Sequence, residues 1–248
     1  MEVLAFISQK GGVAKTTSAH AIGAGFAQRG YRVLFVDLDA QGSLTSIVGA
    51  SAEGLTILDV LQRKCKPQAA IQRASGYDII AASEGLAAEG ILTATGKEYR
   101  LREALQGLSG AYDYAILDCP PSLGILSINA LTAADSAIIL AQADTLSLQA
   151  VRQLEGTLEV VRQYTNKSLG IRGILITRYS GRAILSREAV EMLEAQASAM
   201  GTKVFSTRIR ENISIKEAQA MRQDIFSYAP RSNGAKDYTA LIAEILEG

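Results

Sequence analysis

The stretch Lys10-Gly11-Gly12-Val13-Ala14-Lys15-Thr16-Thr17 says more about the fold than any other part of the sequence. It lies between an apolar run, Val3–Ser8, that is typical of a buried strand, and a helical stretch, Lys15–Arg29, that ends at Gly30. Glycines in such a turn let backbone N–H groups face a phosphate, and the positive end of the helix dipole adds to the attraction. The context predicts a phosphate-binding loop, with a simple tight turn as the alternative for the stretch taken alone.

The spacing of this loop departs from the common pattern G-x-x-x-x-G-K-[ST] and follows K-G-G-x-x-K-[ST] instead. Gln9 occupies the first glycine position, and Ala14 precedes the second lysine. In this pattern Lys15 would reach the β- and γ-phosphates, and Thr16 would place its hydroxyl on Mg²⁺. The predicted nucleotide-binding residues are Lys10, Gly11, Gly12, Val13, Ala14, Lys15, Thr16 and Thr17.

The rest of the chain alternates short apolar runs with helical stretches. The runs are continuous in Val, Ile and Leu, which indicates strands covered on both faces of a mostly parallel, twisted sheet. The predicted fold class is therefore α/β, a deviant P-loop NTPase with helices on both faces of the sheet, in one domain over residues 1–248. The pattern of residues 49–110 indicates helices and loops around one strand. The predicted strands after the first are Arg32–Asp37, Tyr77–Ala81, Tyr112–Asp118, Ser136–Ala141, Ile171–Thr177 and Lys203–Ser206.

Three carboxylates follow predicted strands. Asp37 and Asp39 come at the end of the second strand, and Asp118 ends the strand that begins at Tyr112. Ligands of open parallel sheets bind outside the carboxyl ends of the strands, so these side chains should converge on the edge that carries the phosphate loop. Mg²⁺ prefers oxygen ligands, and the sequence thus predicts a magnesium site there.

Composition excludes several classes of protein. The 25 Lys and Arg residues balance the 25 Asp and Glu residues, so overall charge does not favour binding to nucleic acid. The chain has only two cysteines, with no Cys-x-x-Cys pair, and one histidine, which argues against structural zinc, cysteine-ligated clusters and a Ser-His-Asp triad. No basic leader or long apolar run is present, and we expect a cytoplasmic location.

The chain resembles the ParA-type partition ATPases of the ParA/MinD group along nearly its whole length, in the short form without an N-terminal helix-turn-helix domain. Three motifs carry the resemblance: KGGVAKTT, VLFVDLDAQGSLT and YDYAILDCPPSLGILSINALTAADSAI. It extends to YAPRSNGAKDY near the C-terminus.

The resemblance implies a homodimer in which two subunits sandwich two ATP molecules with Mg²⁺. Lys10 matches the signature lysine that reaches the partner's phosphates, and Asp39 matches the residue that orients the attacking water. Asp118 matches the Walker B-type carboxylate, which acts on the metal mainly through water. The predicted catalytic residues are Lys10, Lys15 and Asp39, and the predicted metal residues are Thr16, Asp37 and Asp118.

The same resemblance implies slow ATP hydrolysis that a ParB-like, centromere-bound or cargo-bound partner stimulates. The ATP-bound dimer would bind double-stranded DNA non-specifically, on the nucleoid, and hydrolysis would release it to position a plasmid, a chromosome or another cargo. Residues 171–236 contain 11 Lys and Arg against 6 Asp and Glu, a net charge of +5 that suits contact with a phosphate backbone. The predicted DNA-binding residues are Arg182, Lys216 and Arg222; Arg182 aligns with a DNA-contacting arginine of relatives, and the second such position falls on Ser214.

Three alternatives remain open at this point. The first is a membrane-cycling ATPase of division-site placement, as in the MinD branch; the acidic charges of the C-terminal helix, from Asp237 to Glu247, argue against it because anionic lipid would repel them. The second is a metabolic or metal-cluster enzyme on the same fold. The third is a scaffold that binds ATP with little turnover, which Ala14 would allow and Asp39 disfavours.

Overall fold

The structure is a computed structural model that describes residues 1–88, 90–180 and 184–247. In these residues seven strands form one sheet, in the order β3-β4-β2-β5-β1-β6-β7. All neighbouring strands run parallel except β3 and β4, which form an antiparallel hairpin at one edge. The strands are β1 Glu2–Ile7, β2 Val33–Asp37, β3 Ile71–Ala74, β4 Tyr77–Ile80, β5 Tyr114–Asp118, β6 Ser136–Ala141 and β7 Gly170–Ile176.

Helices cover both faces of the sheet, as the continuous apolar strands predict. Along β1, the side chains of Val3, Ala5 and Ile7 join one core and those of Leu4 and Phe6 join the other. The helices are α1 Lys15–Gln28, α2 Ser43–Val48, α3 Ile57–Leu61, α4 Pro67–Ala70, α5 Arg100–Gln106, α6 Ile125–Ala133, α7 Thr145–Tyr164, α8 Ile184–Ala199, α9 Ile213–Ala220, α10 Ile225–Tyr228 and α11 Asn233–Glu247.

Helix α1 lies close against the sheet because two glycines remove side-chain bulk. A Cβ atom on Gly23 would come within 2.3 Å of the Phe35 ring on β2, and one on Gly25 within 2.2 Å of Ile242 on α11. This close packing fixes the axis of α1, and with it the helix N-terminus that faces the phosphate loop.

The predicted α/β class and the parallel sheet are confirmed, with two differences in the strands. Lys203–Ser206 is not a strand: it contributes one bridge, from Val204 to Ile174, because the amides of Ser206 and Thr207 donate to the Glu244 carboxylate rather than to β7. Strand β3 was not predicted from the sequence, since its short, polar run pairs only as the outer arm of a hairpin. The single domain over residues 1–248 stays a prediction.

Candidate nucleotide-binding site

The predicted phosphate loop lies between the end of β1 and the start of α1. Gly12 and Ala14 adopt left-handed backbone conformations, with φ angles of 74° and 58°. The loop and the first turn of α1 line a cavity of about 360 Å³ that also reaches Asp39. A cavity of this size at a helix N-terminus has room and polarity for the phosphates of a nucleotide.

Ala14 occupies the N-cap position of α1. Its left-handed conformation costs a residue with a Cβ atom about 1 kcal/mol, a cost that glycine avoids. The alanine has nevertheless adopted the conformation that glycine favours, so the loop keeps a shape in which its amides can face a phosphate. The substitution therefore affects local stability rather than the geometry of the loop.

Lys15 and Asp118 form a buried ion pair at the centre of the site. Lys15 Nζ donates to Asp118 Oδ1 at 2.9 Å, and the side chains are 8% and 0% exposed. Burial alone would lower the pKa of Lys15, but the Asp118 carboxylate outweighs it and raises that pKa above its ordinary value. The ammonium group is thus charged and held at the edge of the sheet where phosphates would bind.

Asp37 lies directly opposite Asp118 in the β2–β5 register and is fully buried. Its Oδ2 accepts hydrogen bonds from the amide and the hydroxyl of Thr45, each at 2.8 Å, and its Oδ1 accepts one from the amide of Asp39 at 3.1 Å. Burial and the facing carboxylate of Asp118 raise the pKa of Asp37. The hydrogen bonds from Thr45 lower it, but by less. Asp37 therefore holds the loop that carries Asp39, and its role toward a metal stays a prediction.

Asp39 is half-buried and lines the same cavity as the phosphate loop. Its Oδ1 accepts a hydrogen bond from the amide of Gln41 at 3.1 Å, and its own amide is held by Asp37. One carboxylate oxygen is fixed while the group borders open space next to the phosphate loop. This is the placement that a residue orienting a water molecule requires.

The residues fit magnesium that arrives with a nucleotide. Asp118 Oδ2 is buried and has no hydrogen-bond partner among the described residues, so an acceptor oxygen is available beside Lys15. Burial raises the pKa of Asp118, against the opposing effects of Lys15 and Thr16. The described residues contain no cluster of three or more Asp, Glu, His or Cys side chains that could hold a metal alone. Phosphate oxygens would therefore complete the magnesium site.

Lys10 is bound within its own chain. Its Nζ atom lies 2.5 Å from Asp144 Oδ2, 3.0 Å from Gln142 Oε1 and 3.4 Å from the Ser147 hydroxyl. Asp144 also caps α7 by accepting from the amide of Ser147 at 2.7 Å. Sequence reasoning missed Asp144 and Gln142, although both follow β6 at the same edge of the sheet, where the rule for strand ends could have found them.

A second cavity, of about 250 Å³, adjoins the phosphate loop and shares Gly12, Ala14 and Thr17 with the first. The segment Ile209–Asn212 lines it. Gln219 on α9 borders both cavities, and its Nε2 donates to the Thr17 hydroxyl at 2.9 Å. The two cavities together provide one space for the phosphates and one for the rest of a nucleotide.

The predicted DNA-binding residues are not gathered in one place. Lys216, on α9, is 65% exposed and lies 3.9 Å from Glu211, at the second cavity. Arg222 has a left-handed φ of 53° and lines another groove, beside α2 and Ser83. Arg182 lies outside the described residues. Their role toward DNA stays a prediction.

Much of the positive charge between residues 171 and 236 is neutralised within the chain. Ion pairs join Arg208 to Glu194 at 3.7 Å and Arg210 to Asp237 at 2.6 Å. Further ion pairs in this window are Arg172–Glu2, Arg178–Glu211 and Lys216–Glu211. Glu194 and Glu211 are already counted in the net charge of the window, but Glu2 and Asp237 lie outside it. Their pairs with Arg172 and Arg210 therefore lower the positive charge available to a partner further.

The C-terminal helix is part of the core. On α11 the side chains of Tyr238, Leu241, Ile242 and Ile245 are buried against α1 and the sheet. None of the helices in the described ranges is both long enough and apolar enough to cross a membrane.

The fold and these residues define a P-loop ATPase, and the comparisons with known proteins agree. Residues 1–171 match the family described as "AAA domain". The sporulation initiation inhibitor protein Soj of Bacillus subtilis is 36% identical over 250 residues, 98% of each chain. The chromosome-partitioning ATPase Soj of Thermus thermophilus is 38% identical over 98% of this chain and 94% of its own. The chain belongs to the Soj/ParA family of ATPases, which confirms the resemblance seen in the sequence.

Solved structures give the same fold. Cobyrinic acid a,c-diamide synthase from Mycobacterium smegmatis, with bound ADP and magnesium, superposes with a TM-score of 0.85 at 36% identity, over 100% of this chain and 94% of that one. An ATP complex of McdA from Cyanothece superposes with a TM-score of 0.88 at 25% identity, over 100% and 96% of the two chains. Both neighbours hold adenine nucleotides, in agreement with the predicted cofactors ATP and Mg²⁺.

Proposed function

We propose that this chain is an ATP-driven partition protein that forms an ATP-sandwich homodimer, binds double-stranded DNA non-specifically and leaves it after hydrolysis. The observation that carries the proposal is the meeting of Lys10, Lys15 and Asp39 around one cavity at one edge of the sheet, where Lys15 pairs with the buried Asp118. Its Soj and ParA relatives, one of them named a chromosome partitioning protein from Caulobacter vibrioides at 35% identity, support the biological role.

ATP and Mg²⁺ are the cofactors of this ATPase. The Lys15 side chain would move its ammonium group from Asp118 to the phosphates. Thr16 would present its hydroxyl to the metal next to the Asp118 carboxylate. Mg²⁺, when bound, neutralises charge on the phosphate oxygens. Asp39, held through its amide by Asp37, would orient the water molecule that attacks the γ-phosphate.

Lys10 would contribute to the partner subunit's nucleotide. A lysine supplied in trans lowers the charge repulsion of ATP and makes dimerisation depend on the nucleotide. Because Lys10 is bonded to Asp144 and Gln142 of its own chain, its release from these residues would accompany dimer formation. In this way the bound nucleotide would determine whether the chain is a monomer or a dimer.

Slow hydrolysis sets how long the dimer stays on DNA. Positioning and electrostatics carry phosphoryl transfer, so no residue of the site needs to be a strong base. A ParB-like or cargo-bound partner would accelerate the reaction by improving the alignment of Asp39. Arg182, Lys216 and Arg222 are the proposed DNA contacts of the C-terminal half. The protein would act in the cytoplasm, on the nucleoid while ATP-bound.

The experiment combines two variants with two measurements. Asp39→Ala should form ATP-dependent dimers on size-exclusion chromatography but lose turnover, whereas Lys10→Ala should lose both. Lys167→Ala, at an exposed position away from the cavity, is the matched control. Unchanged turnover in Asp39→Ala would overturn the mechanism, and dimerisation without ATP in the unaltered protein would overturn the nucleotide-dependent cycle.

A second candidate, ATP-driven amide synthesis, comes from the neighbour described as cobyrinic acid a,c-diamide synthase. In that case turnover would require a carboxylate substrate and an amide donor, and DNA would have no effect. The full-length similarity to Soj and ParA proteins favours partition. Turnover that depends on cobyrinic acid and glutamine would reverse that preference.

A further inference from the structure

A second surface of the molecule carries concentrated positive charge. The loop that follows α3, Arg63–Pro67, and the start of α5 enclose a cleft of about 480 Å³. Arg63, Lys64 and Lys66 line one wall, and Arg100 lines the other. We call this surface the basic cleft. No motif used above falls in it, and it shares no lining residue with the two nucleotide cavities.

The cations of the basic cleft are poorly compensated. Glu103 is the one acidic residue that lines it, and it pairs with Arg63. Lys64, Lys66 and Arg100 have no ion pair within the ranges 1–88, 90–180 and 184–247. In residues 171–236 carboxylates hold Arg172, Arg178, Arg208, Arg210 and Lys216. The other cations of that window within the same described ranges have no ion pair either, but none of them lines the cleft: Arg187, Lys203, Arg222, Arg231 and Lys236. Like charges gathered in one cleft raise its potential and attract anions.

The donors in the cleft suit a repeated phosphate rather than a small molecule. Lys64 and Lys66 are exposed, so each contact with one anion is weakened by water and salt. Appreciable affinity then requires a ligand that presents several charges at once. The polar lining consists of charged groups and the thiol of Cys65, and each of its lysines and arginines can contact a phosphate oxygen.

We propose that the basic cleft binds the phosphodiester backbone of double-stranded DNA without regard to sequence. Duplex DNA has one negative charge per roughly 1.7 Å and releases counterions on contact, a gain that an acidic peptide of lower charge density does not match. The proposal rests on the DNA binding of the proposed function and deepens it by locating a surface. In a dimer the cleft would be present twice, and a duplex that reached both copies would bind more tightly than one held by a single cleft.

The test compares three charge reversals by fluorescence anisotropy with a labelled random-sequence duplex, in ATP, between 50 and 200 mM salt. Lys64→Glu/Lys66→Glu alters the basic cleft. Lys203→Glu/Lys236→Glu makes the same change of charge at exposed positions in residues 171–236, and Lys167→Glu alters an exposed position that lines neither the cleft nor the nucleotide cavities. Thermal unfolding and basal ATP turnover should stay unchanged in all three, because every substituted side chain is exposed and outside the nucleotide cavities.

We expect the cleft variant to lose at least tenfold in affinity and to reduce the slope of log K against log salt by about 2, since each lost phosphate contact removes about 0.9. Full affinity in the cleft variant together with loss in Lys203→Glu/Lys236→Glu overturns the cleft but leaves the proposed function standing. Absence of duplex binding by the unaltered protein overturns both. Binding of labelled polyglutamate that the cleft reversal abolishes, with DNA binding intact, assigns the cleft to an acidic polypeptide and also overturns the proposal.

Discussion

The Lys15–Asp118 pair at the nucleotide site is buried, whereas the cations of the basic cleft are exposed or half-buried and largely without partner carboxylates in the described residues. Lys15 is held by Asp118 at 2.9 Å in the interior, while Lys64 and Lys66 extend into solvent. A buried charge acts in a fixed position and with little screening, which is what phosphoryl transfer needs. An exposed charge binds an anion only weakly, and several such charges must act together. Their binding therefore depends strongly on the salt concentration. The contrast predicts large, specific effects in the first region and small effects on stability in the second.

The largest effect is expected from Lys15→Met. Removal of the ammonium group that faces the phosphates should lower ATP turnover by about a thousandfold, equivalent to roughly 4 kcal/mol of transition-state stabilisation. A phosphate-release assay measures it. Lys203→Met, at an exposed position, should retain full turnover, and retention of more than a tenth of the activity by Lys15→Met would contradict the assigned role.

The same variant separates stability from catalysis. Lys15→Met leaves Asp118 buried without its cation, and we expect a loss of about 3 kcal/mol in the free energy of unfolding. Lys15→Met/Asp118→Asn should regain most of that loss in urea titrations, because no carboxylate is left uncompensated, and should remain inactive. Equal stability of the single and double variants would show that the pair is not coupled.

The next effect is on the stability of the protein at low pH. His20 is buried in α1 between Phe35 and Tyr77, and burial lowers the pKa of His20 to about 4, against the attraction of Asp224. Below pH 6.5 the His20 imidazole takes up a proton in the unfolded chain but stays neutral in the folded chain. The free energy of unfolding therefore falls, by about 3 kcal/mol at pH 4. Denaturant titrations of the unaltered protein and His20→Gln across this range measure it. Identical pH profiles would contradict the buried neutral state.

Two helix glycines should respond with opposite signs. Gly23→Ala places a Cβ atom against Phe35 in the core and should cost about 2 kcal/mol of stability. Gly156→Ala, on α7, meets no atom within 4 Å and should add up to about 1 kcal/mol, because alanine favours the helix. Thermal unfolding compares them, and a stabilising Gly23→Ala would show that α1 is less closely packed than described.

The smallest effect is expected in the basic cleft. Arg63 and Glu103 form an ion pair with both side chains at least half exposed, and Glu103→Ala should change the free energy of unfolding by about 0.5 kcal/mol or less. The variant should strengthen DNA binding slightly, because it removes the carboxylate that lines the cleft. A stability loss above 2 kcal/mol would show that the exposed pair behaves like the buried one.

The sequence alone predicted the phosphate loop, the parallel sheet and the convergence of Asp37, Asp39 and Asp118 on one edge. These predictions succeeded because they rest on local rules: apolar runs mark buried strands, glycines mark the turn, and parallel strands end at the same edge. The helices on both faces and the buried stripe of α11 followed from the same patterns.

Only the tertiary structure decided which charged groups meet. The bond of Lys10 to Asp144, that of Lys15 to Asp118 and the pairing of Arg210 with Asp237 join residues from different elements. The single bridge at Val204 and the basic cleft between α3 and α5 depend on the same long-range packing. The local sequence pattern determines which elements form. The burial and the ion pairs that determine the pKa of each charged group depend on residues far apart in the chain.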